Sequence, residues 1–257
     1  MTSAPSILAI AVGNSRTRFG LFQGADLHHP KSLPNTDLVA LADAIGAVET
    51  PDAIVLATVN PPKADELAAA IGAGPLGQVQ LSRLGQDMPI EITHTLSDDS
   101  TVGQDRLLNA LGAHGRAQQA CIVIDAGTAV TVDFIDGEGT FHGGAIAPGL
   151  QMMLDALNER TASLPKVVFE RPLKDTEPYG HDTPSAMILG VTSAVRGLVQ
   201  HLIERYATAY EAYPQVVATG GDAAILFEHD PFVEHLVPDL QLMGIHQVCM
   251  KALADPE

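Results

Sequence analysis

Apolar and polar positions along this chain fall into short blocks that predict strands and helices in two rounds. The first round opens with Ile7–Val12, an apolar run too short for a helix and read as a buried strand. A turn at Gly13-Asn14 leads to a second strand ending near Phe22, and a ragged third strand covers Leu27–Ser32. Asn35-Thr36-Asp37 offers short polar side chains to cap a helix over Leu38–Ile45. Ala53–Ala57 predicts another buried strand. Pro61-Pro62 stop it and suit the start of a helix over Ala64–Ile71. Strands near Val79–Ser82 and Ile90–Thr93, a polar loop over Ser97–Val102 and a helix over Arg106–His114 complete the round.

The second round starts at Cys121–Ile124, a buried strand that Asp125 ends, followed at once by Ala126-Gly127-Thr128. Ala129–Ile135 alternates as a half-buried strand does, and Asp136-Gly137-Glu138-Gly139 turns the chain toward the pair Gly143-Gly144. Leu150, Met153, Leu154 and Leu157 keep helical spacing, which puts the methionine pair in the core. Glu170–Tyr179 reads as a surface loop, and Asp182-Thr183-Pro184 opens a long helix. Its seam of Ile188, Val191, Val195, Leu198 and Leu202 suits packing on its own domain or against a partner. Val216–Ala218 is a last buried strand, running into Thr219-Gly220-Gly221-Asp222.

The two rounds share a pattern. Residues Ile7 to Thr17 align without gaps on Cys121 to Thr131, so Gly13 falls on Gly127 and Asn14 on Thr128. Such a repeat predicts a duplicated fold with a ligand between the halves. A strand-end carboxylate, a glycine turn and a hydroxyl can together hold a metal and a phosphate. The same residues would also make an ordinary hairpin. Only the second copy has the carboxylate, because Ala11 stands where Asp125 stands.

Charge and composition narrow the function. A net charge of −17 disfavours nucleic acid and anionic membranes as partners. Cys121 and Cys249 give no disulfide framework, the N-terminus lacks a basic leader, and no uninterrupted apolar run approaches membrane-spanning length. A cytoplasmic protein is expected. The histidines lack paired ligand spacing, and Gly-x-Ser-x-Gly is absent.

Several motifs then point one way. They are Ala11-Val12-Gly13-Asn14-Ser15, Gly103-Gln104-Asp105-Arg106, Asp125 to Thr131, Gly143 to Gly149, Thr161 to Pro165 and Thr219 to Asp222. In this order they resemble those of the type III pantothenate kinases, of the actin/hexokinase/Hsp70-type ATPase superfamily. The resemblance implies an α/β fold of two duplicated actin-like (ribonuclease H-like) halves, residues 1–117 and 118–257, each a mixed sheet with flanking helices. The site would lie in the cleft between them. It further implies phosphorylation of pantothenate by ATP with Mg²⁺, giving 4′-phosphopantothenate, the first step of coenzyme A biosynthesis.

Asp105 would be the general base; without the resemblance it would be a helix-capping acid. Arg106, by the same implication, would take the pantothenate carboxylate, with Gly103 and Thr183 also at the substrate. Gly13, Asn14, Ser15, Arg16, Gly127, Thr128, Gly220 and Gly221 would hold ATP, and Asp125 a monovalent cation, potassium or ammonium. A homodimer is implied as well.

Three departures bear on activity. Ala11 replaces the family's metal-positioning acid, Asp182 replaces an asparagine, and Glu91–Thr101 lacks the tyrosine that family members present to pantothenate. They leave open a non-catalytic, ligand-binding or regulatory homologue, or a kinase of another small acceptor. Asp133 and Asp222 are candidates to replace the missing acid.

Overall fold

The computed structural model describes residues 5–174 and 178–254, which form two compact units. The first unit comprises residues 1–93, 97–116 and 239–257, and the second residues 94–96 and 117–238.

In the first unit, β1 (Ser6–Val12), β2 (Arg16–Gln23) and β3 (Asp26–Pro34) form an antiparallel meander. Helix α1 (Leu38–Gly46) is capped by Asp37, whose carboxylate accepts from the Ala40 N–H. Strand β4 (Ala53–Thr58) then pairs parallel to β1. Helix α2 (Pro61–Ala73) starts on the two prolines with Asn60 as cap, and β5 (Leu81–Arg83) pairs parallel to β4. The sheet order is β3-β2-β1-β4-β5.

Strand β1 is buried on both faces. Leu8, Ile10 and Val12 belong to the core that includes Leu41, Ile45, Leu67 and Ile71 of α1 and α2. Ile7, Ala9 and Ala11 face the other way. There they meet residues of α3 (Gln104–Ala117) and α7 (Leu240–Ala254), among them Leu108, Leu242 and Ile245.

The second unit repeats the plan. Strands β6 (Cys121–Ala126), β7 (Ala129–Ile135) and β8 (Phe141–Pro148) form the meander, and β9 (Gln215–Thr219) and β10 (His235–Leu236) pair parallel beyond β6. The order β10-β9-β6-β7-β8 is the first sheet's order, element for element. Helices α4 (Leu150–Glu159), α5 (Thr183–Tyr210) and α6 (Ala223–Phe227) contribute to its core.

The structure corrects several sequence expectations. Ile90–Thr93 is no strand: its alternation is right, but it has no ladder partner, and the next pairing is an isolated bridge from His94 to Phe141. Asp125 lies inside β6 instead of ending it. Of the methionine pair, Met153 packs on the core while Met152 is 45% exposed.

Helix α5 is long and apolar enough, by length and composition alone, to cross a membrane, a feature the search for uninterrupted apolar runs passes over. Its seam instead faces its own unit: Val191, Val195 and Leu202 are core residues, with Ile188 and Leu198 packed beside them. Within the predicted loop Glu170–Tyr179, residues 175–177 lie outside the described residues.

Candidate active site

In the first unit, the carboxyl ends of β1 and β4 carry the first turn. The Gly13 N–H donates to the Arg16 carbonyl, and the turn is clamped from β3's far end by buried Asn35. The Asn35 amide donates to the Gly13 carbonyl at 2.8 Å and accepts from the Thr17 hydroxyl at 2.8 Å. Asn14 and Ser15 are left exposed. Arg16 turns along the sheet to Ser32, donating to its hydroxyl at 3.0 Å and its carbonyl at 2.7 Å.

The pairing shows where the gapless alignment fails. Val12 pairs with Thr17, whereas Ala126 pairs with Val130, so the first turn is one residue longer than the second. Arg18, not Thr17, is therefore the counterpart of Thr131. It stands directly across from Ala11, on the sheet face covered by α3 and α7.

Helix α3 brings its first turn to the same strand ends. The Gln104 amide accepts from the Thr58 N–H at 3.1 Å and donates to the Leu84 carbonyl at 2.8 Å, tying the helix start to β4 and to the end of β5. The Thr58 hydroxyl in turn donates to the Val12 carbonyl. Asp105 follows, half-buried, with its carboxylate accepting from the Arg106 N–H at 2.9 Å. Burial pushes its pKa above the ordinary aspartate range, while that N–H bond and the Arg106 charge pull it back. The result is a carboxylate of raised basicity with one face engaged. The sequence marks Asn35 only as a candidate helix cap and Gln104 only as a motif residue, because the partners of both are remote in sequence.

In the second unit, Asp125 sits near the end of β6 between Thr131 of β7 and Thr219 of β9. The Gly127 N–H donates to the Ala129 carbonyl, and the Gly149 N–H to the Thr128 carbonyl. Gly220 has φ +97°, and a Cβ there would lie 2.6 Å from the Asp125 carboxylate and against the Ala126 carbonyl. Gly221 beside it is exposed, with no atom within 4 Å of where a Cβ would stand. The Asp222 N–H donates to the Ala126 carbonyl at 2.9 Å, and burial raises its side-chain pKa. The unit thus brings Gly127 and Gly220 close to Asp125, with Gly149 against the Gly127 and Thr128 carbonyls.

Thr183 lies elsewhere in this unit, exposed at the start of α5, on the rim of a groove of about 1210 Å³ between α4 and α5 lined by Met152, Met153, Leu157 and Met187. Asp182 is the N-cap there. Its carboxylate accepts from the Ser185 N–H while the Ser185 hydroxyl accepts from the Asp182 N–H. Neither Asp133 nor Asp222 belongs to the unit that contains Ala11. Asp133 is buried mid-strand between Val123 and Gly144.

These residues fit a metal–nucleotide complex better than a metal alone. Among the described residues, no group of three or more histidine, cysteine, aspartate or glutamate side chains could hold an ion. Magnesium carried on phosphates needs only one or two carboxylates and keeps its waters. Gly220 is packed against the Ala126 carbonyl and the Asp125 carboxylate, while Gly221 beside it leaves open space where a Cβ would stand.

Comparison with known proteins identifies the family and the fold. The family model for type III pantothenate kinase matches residues 7–205. A type III pantothenate kinase of Akkermansia muciniphila is 36% identical over 93% of this chain and 96% of its own length. One from Rubrobacter xylanophilus is 32% identical, over 93% and 95% respectively. Among solved structures, MreB5 of Spiroplasma citri bound to ADP covers 99% of this chain and 99% of its own, with a TM-score of 0.52 at 13% identity. The fold is that of the actin/hexokinase-like ATPases, and the chain belongs to the type III pantothenate kinase family.

Proposed function

We propose that this chain transfers the γ-phosphoryl group of ATP to pantothenate, giving 4′-phosphopantothenate and ADP. The observation that carries this reading is Asp105, a half-buried carboxylate of raised basicity held at the strand ends by its neighbour Gln104. A general base works best when its pKa lies near the operating pH, and burial moves Asp105 in that direction. Asp105 accepts the proton of the acceptor hydroxyl as that oxygen attacks phosphorus. Arg106, next along the helix, has the planar fork that suits the pantothenate carboxylate, with Gly103 and Thr183 as further substrate contacts.

Gly13, Asn14, Ser15, Arg16, Gly127, Thr128, Gly220 and Gly221 are assigned to the nucleotide. Mg²⁺ bound with ATP supplies charge neutralisation on the transferred group. Asp125 is assigned to a monovalent cation, potassium or ammonium.

A homodimer fits the outward face of α5. Ala186, Gly190, Ala194 and Gly197 are exposed along it at helical spacing, beside the α4–α5 groove. A second reading, a binding protein without turnover, rests on Ala11, which can ligate nothing.

The test is ADP release coupled to a reporter, with ATP, Mg²⁺, potassium and pantothenate. Pantothenate-dependent turnover that Asp105→Asn lowers by about 10²–10⁴-fold is expected. ATP binding without turnover on pantothenate would favour the second reading or another acceptor.

A further inference from the structure

Ala11 stands where the repeat's second copy has Asp125, and the structure shows what surrounds it. Ala11 is 2% exposed and points to the face of the first sheet covered by α3 and α7. Directly across from it on β2 is Arg18, whose guanidinium lies 2.6 Å from the Asp239 carboxylate. Asp239 immediately precedes α7, and its carbonyl accepts from the Met243 N–H in that helix's first turn. The two side chains are only 24% and 18% exposed, so the pair is shielded well beyond a surface contact. The bond to Asp239 is the guanidinium's one protein hydrogen bond among the described residues, so its other N–H groups have no protein partner there. A half-shielded arginine with one bond fixed and its remaining donors unused is arranged to receive an anion.

The place of this arginine matters as much as its valence. Arg18 enters β2 just after the Gly13–Arg16 turn, at the strand ends that also carry Thr58 and Asp105. An aspartate at position 11 would stand with its Cβ about 5 Å from the Arg18 Cβ, and its carboxylate would draw that guanidinium away from Asp239. Alanine leaves Arg18 to Asp239 alone.

We propose that Arg18, aimed by Asp239, is the phosphate-binding group of the first turn, and that its fixed positive charge takes the part a metal-positioning acid at residue 11 would play. The site would thereby change sign: a cation built into the protein replaces an anion that recruits one. The ligand class is a nucleoside triphosphate or its product diphosphate. The identity of that ligand rests on the kinase reading above; the anion preference rests on the Arg18–Asp239 geometry.

The experiment is calorimetric titration of the full chain with ATP, once in Mg²⁺ and once in EDTA, with circular dichroism on every variant. An arginine-based site retains affinity for metal-free ATP. Arg18→Gln should weaken that binding by about tenfold or more, and Arg18→Lys by less, because one charge remains without the fork. Asp239→Asn should also weaken it, by releasing the guanidinium. Ala11→Asp should cost metal-free affinity, and Ala11→Asp combined with Arg18→Val should make binding depend on Mg²⁺.

Affinity within about twofold of the native chain for a folded Arg18→Gln, in both media, would overturn the proposal. Where Arg18→Gln does not fold, unchanged metal-free affinity in Ala11→Asp overturns it equally. Loss of ATP binding in Arg18→Gln, with no pantothenate turnover in the native chain, would support the arginine site and overturn the acceptor.

Discussion

Gly220 lies against Asp125 so closely that a single methyl group at residue 220 would meet the carboxylate at 2.6 Å. The same methyl would also run into the Ala126 carbonyl, and the backbone at φ +97° is one that side-chain-bearing residues avoid. Gly220→Ala is therefore expected to destabilise the chain by about 1–3 kcal/mol, combining backbone strain with displaced strand ends. Because the displaced atoms include Asp125, nucleotide affinity should fall together with Tm. Gly221→Ala, placed where no atom lies within 4 Å, should leave Tm nearly unchanged and affect nucleotide binding alone. Thermal melts with and without ATP separate the two variants.

Asp105 carries a second consequence of its burial. Its pKa is raised in the folded chain, chiefly by desolvation, with the Arg106 N–H and charge opposing. A raised acid pKa means that the fold is favoured by the protonated form. That contribution is fully present below the ordinary aspartate pKa and is lost as pH rises through the folded value. At neutral pH the ionised carboxylate is thus held at the expense of stability. Asp105→Asn should raise Tm at pH 7, lose that advantage in acid, and lower kcat by about 10²–10⁴-fold. In the native chain kcat should fall with acidification at a pH above the usual aspartate range. A Tm that drops on substitution at pH 7 would contradict the burial argument.

Asp182 stands where the family resemblance implies asparagine, and its geometry makes that exchange a mild one. Its carboxylate caps α5, and the Ser185 bonds hold its pKa below the ordinary value. A lowered acid pKa gives stability that is present above the ordinary pKa and lost as pH falls through the folded one. Asparagine caps helices about as well as aspartate does. Asp182→Asn should keep the native Tm at pH 7 and flatten its decline in acid, while Asp182→Ala should lower Tm at pH 7. Melting curves across pH 2–7 would check both outcomes.

Much of the fold is legible in the chain because its central strands are buried on both faces and its turns are marked by glycine, proline and capping acids. The blocks Ile7–Val12, Ala53–Ala57, Cys121–Ile124 and Val216–Ala218 fall within the central parallel-paired strands. Ile90–Thr93 misled because alternation states which residues suit a strand, not whether a partner strand is there. The glycine motifs were visible as motifs, but the one-residue difference between the two turns was not. It depends on which residues pair across each hairpin, and a gapless alignment conceals it. The same alignment hides that Arg18, not Thr17, stands opposite Ala11, while Arg16 reaches Ser32. Asp239 could not have been found at all, since 221 positions separate it from Arg18.

The outward face of α5 offers the last prediction. Gly190 and Gly197 lie inside the helix, where glycine is less favourable than alanine by about 1 kcal/mol each. No neighbouring atom within 4 Å of either position explains them inside a single chain. Close approach of a second copy would explain them, since two helices can meet there backbone to backbone. If the face is free in solution, Gly190→Ala and Gly197→Ala should raise Tm and leave the molecular mass unchanged. With a partner seated on it, bulkier changes such as Gly190→Leu and Gly197→Leu should convert a dimer to a folded monomer, and Tm should become concentration-dependent in the native chain only. Sedimentation of the native chain and both leucine variants at micromolar concentration distinguishes these cases. The dimer is the expected result, and a native chain that sediments as a monomer would remove α5 from the interface.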